Sequence, residues 1–166
     1  MLCPVCHFDN FEGEDSCTNC GADLSTSDVP QALADYHDTI LGEHLEALGV
    51  GAPIIVGPAM AVADAIRQMH LAGADCLLVC EGDRLVGIFT DRDAVVKVAG
   101  KNLDASPVGE FMTADPVVLR IEDTLAVAIH KMAVGGFRHI PLVDGDRPIG
   151  IVAAADLFRR LVSSLG

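Results

Sequence analysis

Behind residue 45 or so, the apolar and polar positions of the chain follow two rhythms, and each rhythm occurs twice. Val62, Ile66 and Met69 stand at i, i+4 and i+7, and Leu125, Ile129 and Met132 repeat that spacing. A period near 3.6 residues predicts an amphipathic helix in each stretch. Gly73 and Gly136 follow the two stripes, as helix C-caps favour. Short apolar runs come next, at 76–80 and 85–89 around Glu81-Gly-Asp-Arg84, and at 139–143 and 148–152 around Asp144-Gly-Asp-Arg147. Glycine between two apolar runs predicts a hairpin in each copy. A proline-led run, Pro53-Ile-Ile-Val56 or Pro116-Val-Val-Leu119, precedes each helix, and a further helix is expected near 91–99 and 154–164. The order is strand, helix, strand, strand, helix, stated twice, which predicts an α/β (α+β) fold.

The two copies are one unit repeated. Shifted by 63 residues without gaps, 53–93 matches 116–156 at 12 of 41 positions, among them Pro53/Pro116, Met69/Met132, Gly82-Asp83-Arg84/Gly145-Asp146-Arg147, Gly87-Ile88/Gly150-Ile151 and Asp93/Asp156. Self-similarity at a fixed period marks a duplicated structural unit. In the same register Leu45–Pro53 matches Val108–Pro116, so it serves as a lead-in to the first copy.

The front of the chain follows a different logic. Between Met1 and Leu24 the large apolar residues are few (Leu2, Val5, Phe8, Phe11, Leu24), while Cys3-x-x-Cys6 and Cys17-x-x-Cys20 are separated by ten residues. Two such pairs are a metal-site spacing: each turn presents two thiolates, and two turns complete a tetrahedron around Zn²⁺, with iron the other occupant of a four-thiolate shell. Two disulfides are the alternative and belong to exported domains. A filled shell leaves no position for water, so the metal is expected to be structural, and its binding would supply most of the segment's stability. Gly21 follows the second pair, where a positive φ is often needed. His7 follows the first pair and stands as a spare donor. Cys76 and Cys80 lie in an apolar run and read as small buried hydrophobes. Residues 25–30 read as a linker, and 31–48 as a helical segment with Leu33, Tyr36 and Ile40 on one face, interrupted near Gly42. The expected organisation is a zinc knuckle over 1–24, a linker helix over 25–44, and two repeats over 45–105 and 106–166.

Charge narrows the partners. Residues 1–66 carry eleven Asp/Glu and no Lys or Arg, whereas all eleven basic residues lie in 67–166. Nucleic-acid binding depends mainly on Lys and Arg neutralising phosphates, so nucleic acid is an unlikely partner of the knuckle and a phosphate ligand belongs to the rear. No apolar run has the length of a membrane span, and no signal peptide precedes the first cysteine, which predicts a cytoplasmic protein with no membrane contact. The six histidines (His7, His37, His44, His70, His130, His139) are scattered, and no nucleophile or phosphate-loop motif is present; no enzyme activity is expected.

The repeated order, with Gly87-Ile-Phe-Thr-Asp-Arg-Asp93 and Gly136-Phe-Arg-His-Ile-Pro-Leu-Val143, resembles the CBS domain, whose nucleotide motif is Gly-hydrophobic-x-Thr/Ser-x-x-Asp. The resemblance covers about 45–165. It implies two β-α-β-β-α units related by a pseudo-twofold axis, a Bateman module, binding an adenosyl nucleotide (AMP, ADP, ATP or S-adenosylmethionine) in clefts between them. Thr90 stands where a strand gives way to a helix, so its hydroxyl can cap the helix and also donate to a phosphate; Asp93 would accept from a ribose. The same four residues equally describe a capping box. In the second copy Ala153 replaces the hydroxyl residue and Asp156 remains, which implies two unequal sites. Arg138 and His139 stand where the family places phosphate-binding residues, and Ile54, Ile55, Val117 and Val118 would form the adenine slot. The family's members are usually regulatory and pair as homodimers, with an unknown protein partner expected here. The alternative is a zinc-ribbon adaptor or transcription-associated protein whose repeats are structural.

Overall fold

The computed structural model describes residues 3, 5, 6, 8–10, 16–22, 24 and 40–164. Leu2, His7, Phe11, the linker at 25–30, Leu33, Tyr36 and His37 lie outside the described residues. Of the expected 31–48 helix, Ile40 and Leu41 are helical and the chain turns at Gly42.

The repeat is reproduced in its helices and its hairpin strands. Helix α1 (Val62–Ala72) and helix α3 (Leu125–Gly135) start and stop at the same repeat positions, as do strands β2 (Cys76–Glu81) and β5 (His139–Asp144), and strands β3 (Arg84–Thr90) and β6 (Arg147–Ala153). Helix α2 (Asp91–Val96) and helix α4 (Ala154–Ser163) begin in register and differ in length. Gly73 and Gly136 end α1 and α3 with φ of 61° and 66°, a left-handed turn that costs a side-chain-bearing residue 1–2 kcal/mol or so. Helix α2 stops three residues short of the expected 99. Val95, Val96 and Val98 are β-branched and weak helix formers, and Val98 turns into the core at 3% exposure.

The chain divides into two compact units, and they are not the two repeats. One comprises Gly49–Ile121 and Arg138–Ala153. Its four-stranded sheet has the order β1 (Ile55–Val56), β2, β3, β4 (Thr113–Ala114), with β1 parallel to β2 and the other pairs antiparallel. Val62, Ala65 and Met69 of α1 bury one helical stripe against Val56, Leu77, Val79 and Phe89, and Val98, Val108 and Phe111 complete that core. The β5–β6 hairpin belongs to this unit too. Its Asp146 carbonyl accepts from the Leu85 N–H at 3.0 Å, and Ile151 packs against the cluster of Cys76, Leu78 and Ile88.

The proline-led run of the second copy is not a strand. Val56 pairs with Val79 in β1–β2, and its repeat equivalent is a single bridge between Leu119 and Leu142. The cause is local. Leu78 donates its N–H to the Ile54 carbonyl at 2.8 Å, whereas Pro141 occupies that position in the second copy and has no N–H to give.

The other compact unit holds the described part of Met1–Leu48 together with Glu122–Phe137 and Ala154–Gly166. Here the segment preceding the first repeat anneals to the start of α3: Leu125 N–H donates to the Glu43 carbonyl and Leu45 N–H to the Asp123 carbonyl, both at 2.9 Å. In the first unit, the segment preceding the second repeat does the same to α1, through Val62 N–H to Ser106 carbonyl (2.9 Å) and Val108 N–H to Met60 carbonyl (2.8 Å). All four residue pairs map onto one another by the 63-residue shift, so the lead-ins are exchanged between the copies.

Candidate functional site

The four front cysteines converge. Cys3, Cys6, Cys17 and Cys20 have sulfur atoms within 4.8 Å of one another. Cys3–Cys20 and Cys6–Cys17 are each 3.6 Å apart, and all four are free thiols. Zinc–sulfur bonds of about 2.3 Å require tetrahedral edges near 3.8 Å, so the cluster fits a four-thiolate metal ion. Each hook closes on itself: Cys3 N–H donates to the Phe8 carbonyl (2.9 Å) and Cys17 N–H to the Ala22 carbonyl (2.7 Å). Gly21 turns the second hook with φ of 72°.

Donors surround the sulfurs. Val5 N–H lies 3.4 Å from Cys3 Sγ, Asn19 Nδ2 3.5 Å from Cys6 Sγ, and Asn10 Nδ2 3.5 Å from Cys17 Sγ. Burial acts to raise the Cys17 thiol, but the backbone N–H groups of Cys20 and Asn19 and the Asn10 amide outweigh it and bring it down to about 6. Bonds from Asn19 and from the Phe8 N–H lower Cys6 as well. Burial pushes the Cys20 thiol the other way, up to about 12, so the surroundings favour the ionised sulfur that a metal needs at Cys6 and Cys17 and not at Cys20. Sequence reasoning missed Asn10, whose exposure is 5%; a lone amide between two cysteine pairs carries no periodic signal.

The second candidate site is at the β3–α2 junction. Thr90 is the N-cap of α2, and the capping box forms in full. Asp93 Oδ2 accepts from Thr90 N–H at 2.9 Å and from Thr90 Oγ1 at 2.8 Å, while Asp93 N–H donates to Thr90 Oγ1 at 3.3 Å. Asp93 Oδ1 pairs with Lys97 Nζ at 2.7 Å. The same Nζ donates to the Phe111 carbonyl (3.0 Å) and sits 3.4 Å from Thr113 Oγ1, reaching the segment that leads into the second repeat. Asp93 is buried at 7% exposure. Lys97 was not foreseen: it lies one turn beyond the motif, and although Asp93 is four residues away, its other partners, Phe111 and Thr113, are distant in sequence.

In the second copy Ala153 has no hydroxyl to complete such a box, and Asp156 is half-buried and pairs with Arg159 at 2.6 Å. Arg160, the repeat equivalent of Lys97, grips Glu43 through Nε–Oε2 (2.8 Å) and Nη2–Oε1 (2.5 Å). Arg138 is exposed and makes no ion pair among the described residues; His139 is half-buried and pairs with Ala153 across the hairpin. Ile54 and Val118 are half-buried, whereas Ile55 and Val117 remain 49% and 44% exposed. Thr90, Asp93, Ile54, Ile55, Val117, Val118, Arg138 and His139 share one compact unit, and Asp156 lies in the other. Cys76 and Cys80 are buried in β2, the packing role their apolar run indicates.

Comparison with known proteins sets these observations in a wider frame. The family model of the CBS domain matches residues 51–100 and 108–163. The CBS domain-containing protein CBSCBSPB5 of Arabidopsis thaliana is 41% identical over 96 residues, which is 55% of this chain and 17% of that protein; the chain therefore spans a minor part of that relative's length. Among solved structures, a CBS-domain containing protein from Agrobacterium tumefaciens superposes with a TM-score of 0.65 at 26% identity, covering 74% of this chain and 96% of that one. The fold is also that of CBSX2, solved in complex with AMP, with a TM-score of 0.63, 24% identity and coverage of 75% and 100%.

Proposed function

The chain belongs to the CBS-domain family, and on that basis we propose that it is a non-catalytic regulatory protein that binds an adenosyl nucleotide (AMP, ADP, ATP or S-adenosylmethionine) at Thr90 and Asp93. The observation that carries this reading is the state of the Asp93 carboxylate. A carboxylate offers about four lone-pair positions. Thr90 N–H, Thr90 Oγ1 and Lys97 Nζ engage three of them. A ribose hydroxyl takes the remaining position on Oδ1. When the Thr90 hydroxyl turns to a phosphate, it releases a position on Oδ2 for the second ribose hydroxyl. Exposed apolar side chains at Ile55 and Val117 suit stacking on a purine, Ile54 and Val118 add apolar surface to the slot, and Arg138 and His139 serve the phosphate. The Asp156 site lacks the hydroxyl and is the weaker, by something like 1 kcal/mol.

The cysteine cluster takes zinc in a structural role, iron being the other metal its shell accepts. No helix among the described residues is long and apolar enough to cross a membrane, in keeping with a cytoplasmic protein. Exposed Leu71 and Val134, and exposed Val95 and Phe158, occupy equivalent repeat positions; this recurrence favours a homodimer, for which the mass in solution is the check.

Thermal melting with each of the four nucleotides tests the sensor. At a hundredfold excess over Kd, a native-state ligand adds about 2.7 kcal/mol, roughly 5–10 °C in a domain of this size. Asp93→Ala is expected to abolish the rise, and Asp156→Ala to reduce it less. Flat curves for all four nucleotides support the second reading, a zinc-ribbon adaptor, which the already satisfied capping box favours.

A further inference from the structure

We infer that Asn10 is the positioning residue of the cysteine cluster: its buried amide fastens one thiol hook to the other and sets the strength with which the four sulfurs hold their metal. The inference rests on the assignment of a metal to the cluster. Asn10 Nδ2 donates to the Phe8 carbonyl (2.9 Å), which also closes the Cys3 hook, and to Cys17 Sγ (3.5 Å) in the other hook. Its Oδ1 accepts from Thr18 N–H (3.0 Å) and Thr18 Oγ1 (3.1 Å), inside the Cys17–Cys20 turn. One planar group thus donates to both hooks and accepts from the second. Among side chains of this length only an amide does both; Asp cannot donate, and Ala does neither.

The location makes the donation matter. Four thiolates around a divalent metal carry a net charge of about −2, and N–H donors to sulfur offset it within a segment with little apolar burial. Asn19 makes the corresponding bond to Cys6 Sγ from an exposed position. Water can replace that donor, whereas nothing replaces one that is 5% exposed.

The test uses the full chain, with Zn²⁺ affinity measured by competition against a chromophoric chelator and with Co²⁺ absorption at saturating metal. Loss of an outer-shell partner typically weakens metal binding about 10–100-fold, and Asn10→Ala is expected in that range. Asn10→Asp, which keeps the acceptor but turns an anionic oxygen toward Cys17 Sγ and the Phe8 carbonyl, is expected to lose more. Its sulfur-to-cobalt charge-transfer band moves to lower energy, because a thiolate stripped of a donor is easier to oxidise; a purely structural role leaves that band in place. Asn19→Ala stays within a few-fold of wild type. If both Asn10 variants bind too weakly to measure, Thr18→Val decides, since it removes one bond to Oδ1: a severalfold loss supports the role, and wild-type affinity overturns it. Wild-type affinity and an unshifted band in both Asn10 variants also overturn it. A wild-type chain that takes up neither Zn²⁺ nor Co²⁺ overturns the metal assignment itself, a result easily told apart from the others.

Discussion

Gly87 leads the sequence motif that ends at Asp93, and its structural reason is packing. A Cβ built on Gly87 would sit 2.3 Å from Met112 Sδ and 2.8 Å from its Cγ. The thioether fills the space where a side chain would stand. Overpacking of this kind typically costs 1–3 kcal/mol, so Gly87→Ala is expected to lower stability by about that much. Met112→Ala in the Gly87→Ala background is expected to return part of it, and chemical denaturation of the four proteins in a double-mutant cycle measures the coupling. At this scale the sequence was readable where chemistry is local. The cysteine spacing, the positive φ at Gly21 and the Thr90–Asp93 box all follow from neighbours within a few residues. Asn10 was not readable, nor was the link Lys97 makes beyond its own helix, because these come from partners such as Thr18, Phe111 and Thr113, eight to sixteen residues away; the Lys97–Asp93 pair is itself local.

Helices α1 and α3 and the two hairpins were legible as elements because each carries a full period of apolar positions and a glycine at its stop or turn. The elements that escaped have no period to show. β4 is two residues long, and the second copy's first strand, expected at 116–119, was lost to one missing N–H at Pro141. The exchanged lead-ins are short bridges, Ala61 with Pro107 and His44 with Thr124, joined by backbone bonds that any sequence can make. They nevertheless decide what can fold. The first-turn amide of α1 at Val62 is satisfied by Ser106, and Val108 is fully buried in the same core. Residues 45–105 contain neither partner. That fragment is therefore expected to show no cooperative thermal transition by circular dichroism, and extension to Ile121, which adds Ser106, Val108 and β4, is expected to restore helical signal. A cooperative melt of 45–105 on its own would show the exchange to be dispensable.

In the whole molecule, six thiols divide into two populations by surroundings. Four sit in the cysteine cluster, and Cys76 and Cys80 are buried at 5% exposure each. Maleimide labelling counted by mass spectrometry is expected to modify few thiols in the metal-bound protein at neutral pH. After chelation it should modify four rapidly, with Cys76 and Cys80 silent until the chain unfolds. Loss of the metal should leave the unit built on Gly49–Ile121 folded, because its core draws on none of the four cysteines. The buried pair makes itself felt at the other end of the pH scale. Burial, with smaller contributions from the charges of Asp75 and Asp91, pushes the Cys76 thiol from its usual 9.0 up to about 12. Below pH 9 the thiol is protonated in folded and unfolded chains alike, so its contribution to stability is fully present. Between pH 9 and 12 the unfolded chain loses the proton first, and folding stability falls as pH rises through that window. Cys76→Ala removes this dependence at the expense of a small cavity. The variant should thus melt lower than wild type at pH 8 and lose less on going to pH 10.5. An identical alkaline decline in both proteins would show that Cys76 ionises in the folded state as readily as in the unfolded one, and that β2 is open to water there.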